Sequence, residues 1–236
     1  MLYTLHEQSA QKIVYLRRHR GYNLPQVEGE VIVALPWNIV IVVAASYLVG
    51  SIPASYIAGR WLRGIDLREH GSGNLGAANA FRVLGFGAAV PVLLFDIGKG
   101  FAAVFLMPEF FGGGTALALL AALAVVLGHN YSLFVRFSGG KGVGTTAGAF
   151  LALAPAATAM CFALWIATLL VTRIVSVASI AGAAFLPLSI VIADRAFGLR
   201  THYAVTLLAC AVALIVIVKH RSNISRLRAG TEKRLF

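Results

Sequence analysis

The chain has 236 residues, 59% hydrophobic and 12% charged, with a formal net charge of +11 and a mean hydropathy of +0.82. A soluble domain carries about twice that charged fraction, so the composition excludes one and implies an all-α, polytopic membrane protein. The basic residues punctuate the ends of apolar segments instead of forming one run, a pattern that fits membrane topology, anionic headgroups and anionic substrates and does not suggest nucleic-acid binding.

Residues 1–32 are mixed and polar and read as an N-terminal extension, with the fold proper at 33–236. The first apolar run is too long for the core of a signal peptide. It covers about 33–59, and a polar stretch, about 60–83, follows. The second run, about 84–106, is interrupted by Asp96 and Lys99. The turn PEFFGGG leads to a third at about 115–135, and RFSGGKG to a long run at about 143–172. Pro155 lies inside that run and splits it into two short helices. Further runs cover about 174–193 and, after DRAFGLR, about 201–218, before a basic tail. The expected architecture is a seven-transmembrane-helix bundle with short motif loops. With 24 glycines and many alanines, its helices are expected to pack by close backbone approach.

Seven spans put the termini on opposite sides. One set of connections holds Arg60, Arg63, Arg68, Arg82, Arg136, Lys141, Arg173 and the tail from Lys219; the other, beyond the N-terminal extension, holds Arg195 and Arg200. The first set is therefore expected on the cytoplasmic side, although Lys12, Arg17, Arg18 and Arg20 then lie outside. EHGSGNLGAANAFR, FSGGKGVGT, TRIVSVAS and KHRSNISRLRAGTE all fall at the cytoplasmic face. Cys161 and Cys210 lie inside apolar stretches and are expected to be small buried residues.

Glycine-rich backbone beside a cation is suited to phosphate, because successive N–H groups can line a concavity. GSGNLG offers Ser72 and Asn74 as neutral donors and is followed by Arg82; SGGKGVGTT sets Lys141 among Gly139, Gly140 and Gly142. Gly71, Gly73 and Gly76 match the dinucleotide fingerprint, but no strand precedes them. Val135 and Gly142 stand where a P-loop needs Gly and Ser or Thr. No His-x-x-x-x-Asp charge relay is present, and the nine acidic residues show no clustering for a divalent metal. Asp96 and Lys99 share a helix face and are expected to pair. Ser176 and Ser179, also three apart, suit close helix approach. A transporter for a phosphorylated solute would share such phosphate sites, but no inverted repeat supports it. A metal-dependent phosphatidyltransferase would need clustered acids, and a non-catalytic scaffold would tolerate loss of Lys141.

Six stretches, GSIPASYIAGR, GIDLREHGSGNLGAANAFRVLG, FDIGKG, GHNYSLFVRFSGGKGVGT, SVAS and KHRSNISRLRAGTE, together resemble the bacterial acyl-phosphate:glycerol-3-phosphate acyltransferase (PlsY) family. The resemblance runs from about residue 36 to 232. It implies a multi-pass inner-membrane enzyme with its motif loops and C-terminus cytoplasmic. It implies acyl transfer from acyl phosphate to the sn-1 hydroxyl of glycerol 3-phosphate, giving lysophosphatidate and inorganic phosphate in phospholipid synthesis. No metal, cofactor or protein partner is implied; the partners are the two substrates and membrane lipid. Carried over residue by residue, Ser72, Asn74 and Arg82 match the first motif and Gly139, Gly140, Lys141 and Gly142 the second, as substrate-binding positions. His220, Asn223 and Glu232 match the third, as catalytic positions, and Ser179 falls in a serine-bearing segment near the site. The chain departs from the family at Ala78, where threonine is common.

Overall fold

A computed structural model of the chain describes residues 37–235, so the expected extension at 1–32 lies outside the described residues. Among those described, ten α-helices follow in order: α1 (Trp37–Ser51), α2 (Ala54–Arg63), α3 (Ala77–Leu84), α4 (Phe86–Phe110), α5 (Thr115–Asn130), α6 (Val143–Leu153), α7 (Pro155–Thr172), α8 (Val175–Phe197), α9 (Tyr203–Lys219) and α10 (Arg221–Arg228). A 3-10 turn, Leu133–Val135, follows α5. The all-helical expectation holds. The split at Pro155 occurs as its missing N–H dictates, with Pro155 opening α7 directly after the break at Ala154.

Five segments are long and apolar enough to cross a bilayer: Trp37–Arg63, Phe86–Phe110, Thr115–Val135, Pro155–Thr172 and Val175–Phe197. The bent pair α9 and α10, at 56°, makes a sixth when taken together. Helix α6, with 11 residues, is about 16 Å long, roughly half of a hydrocarbon core.

Where the helices cross, glycine replaces side chains. A Cβ on Gly50 of α1 would strike the Val125 carbonyl of α5, and one on Gly128 of α5 would strike the Tyr47 carbonyl of α1. Helices α4 and α6 repeat the arrangement, with Gly100 against the Thr145 carbonyl and Gly148 against the Ile97 carbonyl. Lipid is as apolar as leucine, so helices in it associate through close van der Waals contact, and small residues permit that. The large apolar side chains of Phe105, Phe110, Phe162, Leu170, Leu207 and Leu214 face outward. Cys210 follows them and is exposed on α9, a correction to its expected burial: an apolar segment in lipid does not have to turn inward. Cys161 is half-buried, with Sγ 3.3 Å from Ser189 Oγ.

The glycine contacts also set depth. Helix α6 begins beside Asp96, against whose Cβ a side chain on Gly144 would press. Asp96 lies about 15 Å along α4 from Phe86. The loop leading into α6 therefore reaches well down the bundle instead of resting on its end. The α6–α7 turn lies at the opposite end, beside Ile190, Ala193 and residues 199–201.

Candidate active site

The first motif is a loop folded around two buried side chains. Helix α2 stops at Gly64, whose φ of +68° closes it in the left-handed region. Asp66, 5% exposed, accepts from Arg68 Nη2 at 2.6 Å and from Nε at 3.1 Å, and Arg60 approaches at 3.6 Å. Hydrogen bonding from Arg68 holds the Asp66 carboxyl down at about 2, against the desolvation that opposes it. Arg68 Nη1 also donates to the Val135 carbonyl at 3.3 Å, tying the loop to the 3-10 turn. Asn79, on the first turn of α3, is the second centre: its Nδ2 donates to the carbonyls of Leu67 and His70, both at 3.1 Å, and its Oδ1 accepts from the Ser72 N–H at 2.8 Å. Gly71 needs its lack of a side chain twice over, for a φ of +66° and for the room Asn79 occupies. Ser72 is exposed on this loop and Asn74 half-buried. Arg82 leaves α3 half-buried, its Nε sequestered without a protein partner.

The second motif packs on the end of α5. The Gly140 N–H donates to the His129 carbonyl at 3.1 Å. A Cβ on Gly139 would run into that carbonyl, and one on Gly140 into the His129 ring. Gly142, at φ +81°, opens α6. Lys141 leaves the loop to donate to Asn223 Oδ1.

The third motif supplies the other wall. His220 sits at the corner between α9 and α10, 3% exposed, with Nδ1 2.8 Å from the Val216 carbonyl. A carbonyl only accepts, so Nδ1 carries the proton and Nε2 keeps its lone pair. Burial, and then the nearby Lys141 ammonium, oppose a second proton on the ring. Asn223 bridges Lys141 to Glu232, donating to Glu232 Oε1 at 2.5 Å. The tail after α10 folds back so that the Glu232 side chain is only 3% exposed; it also accepts from Ser176 at 2.8 Å and from Arg226 Nε at 2.6 Å. Burial works to raise the Glu232 carboxyl, but these hydrogen bonds and the Arg226 charge prevail and hold it below its usual range. Leu235 N–H then bonds the Arg173 carbonyl at 2.7 Å, closing the tail across the junction of α7 and α8.

The structure thus brings Arg82, Lys141, His220, Asn223 and Glu232 into one electrostatic neighbourhood. Burial first, then the Arg226 charge, push the Lys141 ammonium down to about 8; Arg82 and Lys219 act in the same direction and Glu232 opposes them. Arg82, Lys141, Lys219 and Arg226 set four cations against one carboxylate, a place that favours anions. Gly139 and Gly140 face α5 and shape the loop. Ser179 is 4% exposed and accepts from Trp165 Nε1 at 3.3 Å, whereas Ser176, one turn earlier, reaches Glu232. Sequence reasoning missed Asn79, Arg226, Lys219 and the engagement of Ser176. Asn79 and Arg226 stood inside the motifs, but their partners are backbone groups and a carboxylate that only the fold brings close. Among the described residues no three His, Cys, Asp or Glu side chains converge as metal ligands would.

Known proteins are similar to this chain in sequence and in structure. Residues 40–230 match the protein family described as Glycerol-3-phosphate acyltransferase. Glycerol-3-phosphate acyltransferase 2 of Moorella thermoacetica is 44% identical over 199 residues, covering 84% of this chain and 97% of its own. The glycerol-3-phosphate acyltransferase of Parasynechococcus marenigrum is 44% identical over 195 residues, covering 83% and 89%. A crystal structure of PlsY (YgiH), an integral membrane glycerol 3-phosphate acyltransferase in its glycerol 3-phosphate form, superposes with a TM-score of 0.76 at 36% identity, covering 83% of this chain and 94% of that one. Its lysophosphatidic acid form gives 0.73 at 35% identity. Matched along most of its length and carrying the three motifs at one end of its bundle, the chain belongs to the PlsY family of glycerol-3-phosphate acyltransferases.

Proposed function

We propose that this chain transfers an acyl group from acyl phosphate to the sn-1 hydroxyl of glycerol 3-phosphate, releasing lysophosphatidate and inorganic phosphate. The carrying observation is the cation-rich cluster around Lys141, with Asn223, His220 and Glu232 against it, at one end of an apolar bundle. Acyl phosphate is a mixed anhydride, so phosphate already leaves well. The protein has to hold two anions, align them and accommodate one proton.

We assign Lys141 and its loop to the phosphate of glycerol 3-phosphate, and Ser72, Asn74 and Arg82 to the phosphate of the donor. The attacking hydroxyl oxygen forms the new bond to the acyl carbonyl carbon, and the bond from that carbon to the phosphate oxygen breaks. Arg82 and Lys141 stabilise charge developing on the carbonyl and the departing phosphate. The neutral Nε2 of His220 accepts from the attacking hydroxyl and aims it. The proton passes to a substrate phosphate oxygen, because burial beside Lys141 disfavours an imidazolium while a phosphate monoester titrates near pH 6. Asn223, braced by Glu232, holds Lys141 in register with His220, whose ring is fixed by the Val216 carbonyl. No covalent acyl-enzyme forms, and Ser179 steadies α7 against α8 through Trp165 beside the site.

In this reading residues 33–236 form the catalytic fold, and seven crossings result when α6 is counted as a short one whose entry loop is drawn into the bundle. The basic motif end faces the cytoplasm across the bacterial inner membrane. The test uses detergent-purified protein, palmitoyl phosphate, labelled glycerol 3-phosphate and excess EDTA. Lysophosphatidate from the parent, and at least about a hundredfold less from Arg82→Ala, is expected. No product with palmitoyl phosphate or palmitoyl-CoA would overturn the assignment.

A further inference from the structure

A buried charge cluster lies beneath the Gly-rich loop, and the acyl-transfer chemistry gives it no direct part. Asp96 and Lys99, one turn apart on α4, are 4% and 5% exposed, with Nζ 2.8 Å from Oδ1. His129, from the last turn of α5, places Nδ1 3.4 Å from the same carboxylate oxygen. Lys99 Nζ also donates to the Ile52 carbonyl at 2.9 Å, in the break between α1 and α2. Ionisable groups inside a membrane bundle are expensive and mark function by default. A buried ion pair can often be exchanged for neutral groups of similar volume with no loss of stability, so packing alone does not account for charge here.

What the cluster touches does account for it. The His129 carbonyl holds the Gly140 N–H at 3.1 Å, and the His129 Nε2 edge occupies the space where a Gly140 side chain would go. The same Cβ position also meets the Leu75 carbonyl of the first motif. The residue just before Lys141 is therefore packed against an imidazole whose Nδ1 lies 3.4 Å from Asp96 Oδ1 and against the backbone of the other phosphate loop. We propose that Asp96, Lys99 and His129 are positioning residues for the phosphate-binding loop, setting the reach of Lys141 through the His129 ring and Gly140. Asp96 orients the ring, Lys99 anchors Asp96 and the α1–α2 break, and the ring fixes the loop against the first motif. The proposal rests on reading Lys141 as a phosphate ligand.

The double variant Asp96→Asn/Lys99→Met removes the charges at similar volume. It is expected to unfold no earlier than the parent. Its dissociation constant for glycerol 3-phosphate, measured by calorimetry on the full chain in detergent, is expected to weaken on the order of tenfold, as a displaced positioning group would dictate. KM for glycerol 3-phosphate should rise in parallel, with KM for acyl phosphate near the parent's value. A folded double variant with unchanged affinity overturns the proposal. Gly140→Ala is a second route that leaves the charges intact and drives a methyl group into the His129 ring; it should weaken affinity likewise, and unchanged affinity there also overturns it. A parent that binds glycerol 3-phosphate without making product overturns the reaction and leaves the positioning result standing in the binding data. A parent that does not bind it overturns both.

Discussion

The helix crossings and the motif end are held by opposite means. At the α1–α5 and α4–α6 crossings, side chains are removed so that backbones touch: Gly50 and Gly128 face carbonyls of the partner helix, and so do Gly100 and Gly148. At the motif end, long polar side chains reach across chain segments that share little secondary structure. Asn79 gathers three backbone groups, and Glu232 gathers Asn223, Ser176 and Arg226. The difference follows from the two solvents. Lipid offers helices no hydrophobic reason to associate, so closeness must supply the attraction. The motif end has to present cations to anionic substrates, and buried charge there is tolerable only when hydrogen bonds satisfy it.

The largest expected effect breaks the first kind of contact. Gly148→Leu pushes a side chain into the Ile97 carbonyl of α4, where no flexible neighbour can yield. A loss of about 3 kcal/mol or more is expected, read as a lowered unfolding midpoint and loss of a monodisperse peak in detergent. Gly98, on the same α4, has open space where its Cβ would stand. Gly98→Ala should be neutral or gain up to about 1 kcal/mol from helix propensity. Equal midpoints for the two variants would refute backbone contact as the adhesive.

The second effect breaks the other kind. Glu232→Gln removes the charge that Arg226 meets at 2.6 Å while keeping an oxygen for Ser176 and Asn223. A charge-assisted hydrogen bond contributes about 1.5–3 kcal/mol. The loss should fall on the tail, read as faster amide exchange across residues 229–235, with acyl transfer down in proportion and the midpoint of the bundle little changed. The carboxyl titrates below its usual range in the folded chain. It therefore adds stability above the ordinary glutamate pKa, and that stability drains away as pH falls through the depressed folded value. The Gln variant should lose this acid dependence of tail protection. Unchanged exchange would mean that the tail does not depend on the Arg226 charge pair and is held by the Ser176 and Asn223 hydrogen bonds and by backbone bonds such as that from Leu235 to Arg173.

The two kinds of contact were unequally legible in the sequence. The apolar runs located the long helices to within a few residues, because about 20 apolar residues in lipid can do little else. Abundant glycine announced close crossings, though not which glycines face which carbonyl. The expected run at 33–59 corresponds to a helix that continues to Arg63 and breaks at Ile52 and Pro53, and the polar stretch at 60–83 conceals most of α3. At the motif end, position along the chain was enough to gather Lys141, Asn223 and Glu232 at one face. It was not enough to separate Ser176 from Ser179, since residues one turn apart share a helix face and only the rotation of α8 decides which meets Glu232. Asn79 was hidden for a different reason: its partners are main-chain groups, which every residue has. Asp96 and Lys99 were expected to pair and do; the third member, His129, comes from another helix.

The smallest effect sharpens the comparison at Lys141, where the two regions meet. Burial, which suits the bundle, and the Arg226 charge, which suits the motif end, together hold its ammonium at about 8 in the unliganded protein. Only the protonated form attracts phosphate. Affinity for glycerol 3-phosphate should therefore be steady from pH 8 down to about pH 6, where the phosphate monoester itself takes up a proton, and fall as pH rises through 8, by at most about tenfold, or 1.4 kcal/mol, per pH unit. Lys141→Arg keeps its charge throughout, because a guanidinium does not deprotonate in this range, so that inflection should vanish even if the altered geometry weakens binding at every pH. The two profiles together separate charge from fit. An inflection near 8 that survives in the Arg variant belongs to another group. A profile in the parent that stays flat to pH 10 means that phosphate is held by Arg82, Arg226 and the loop amides, with Lys141 serving chiefly to seat Asn223 against Glu232.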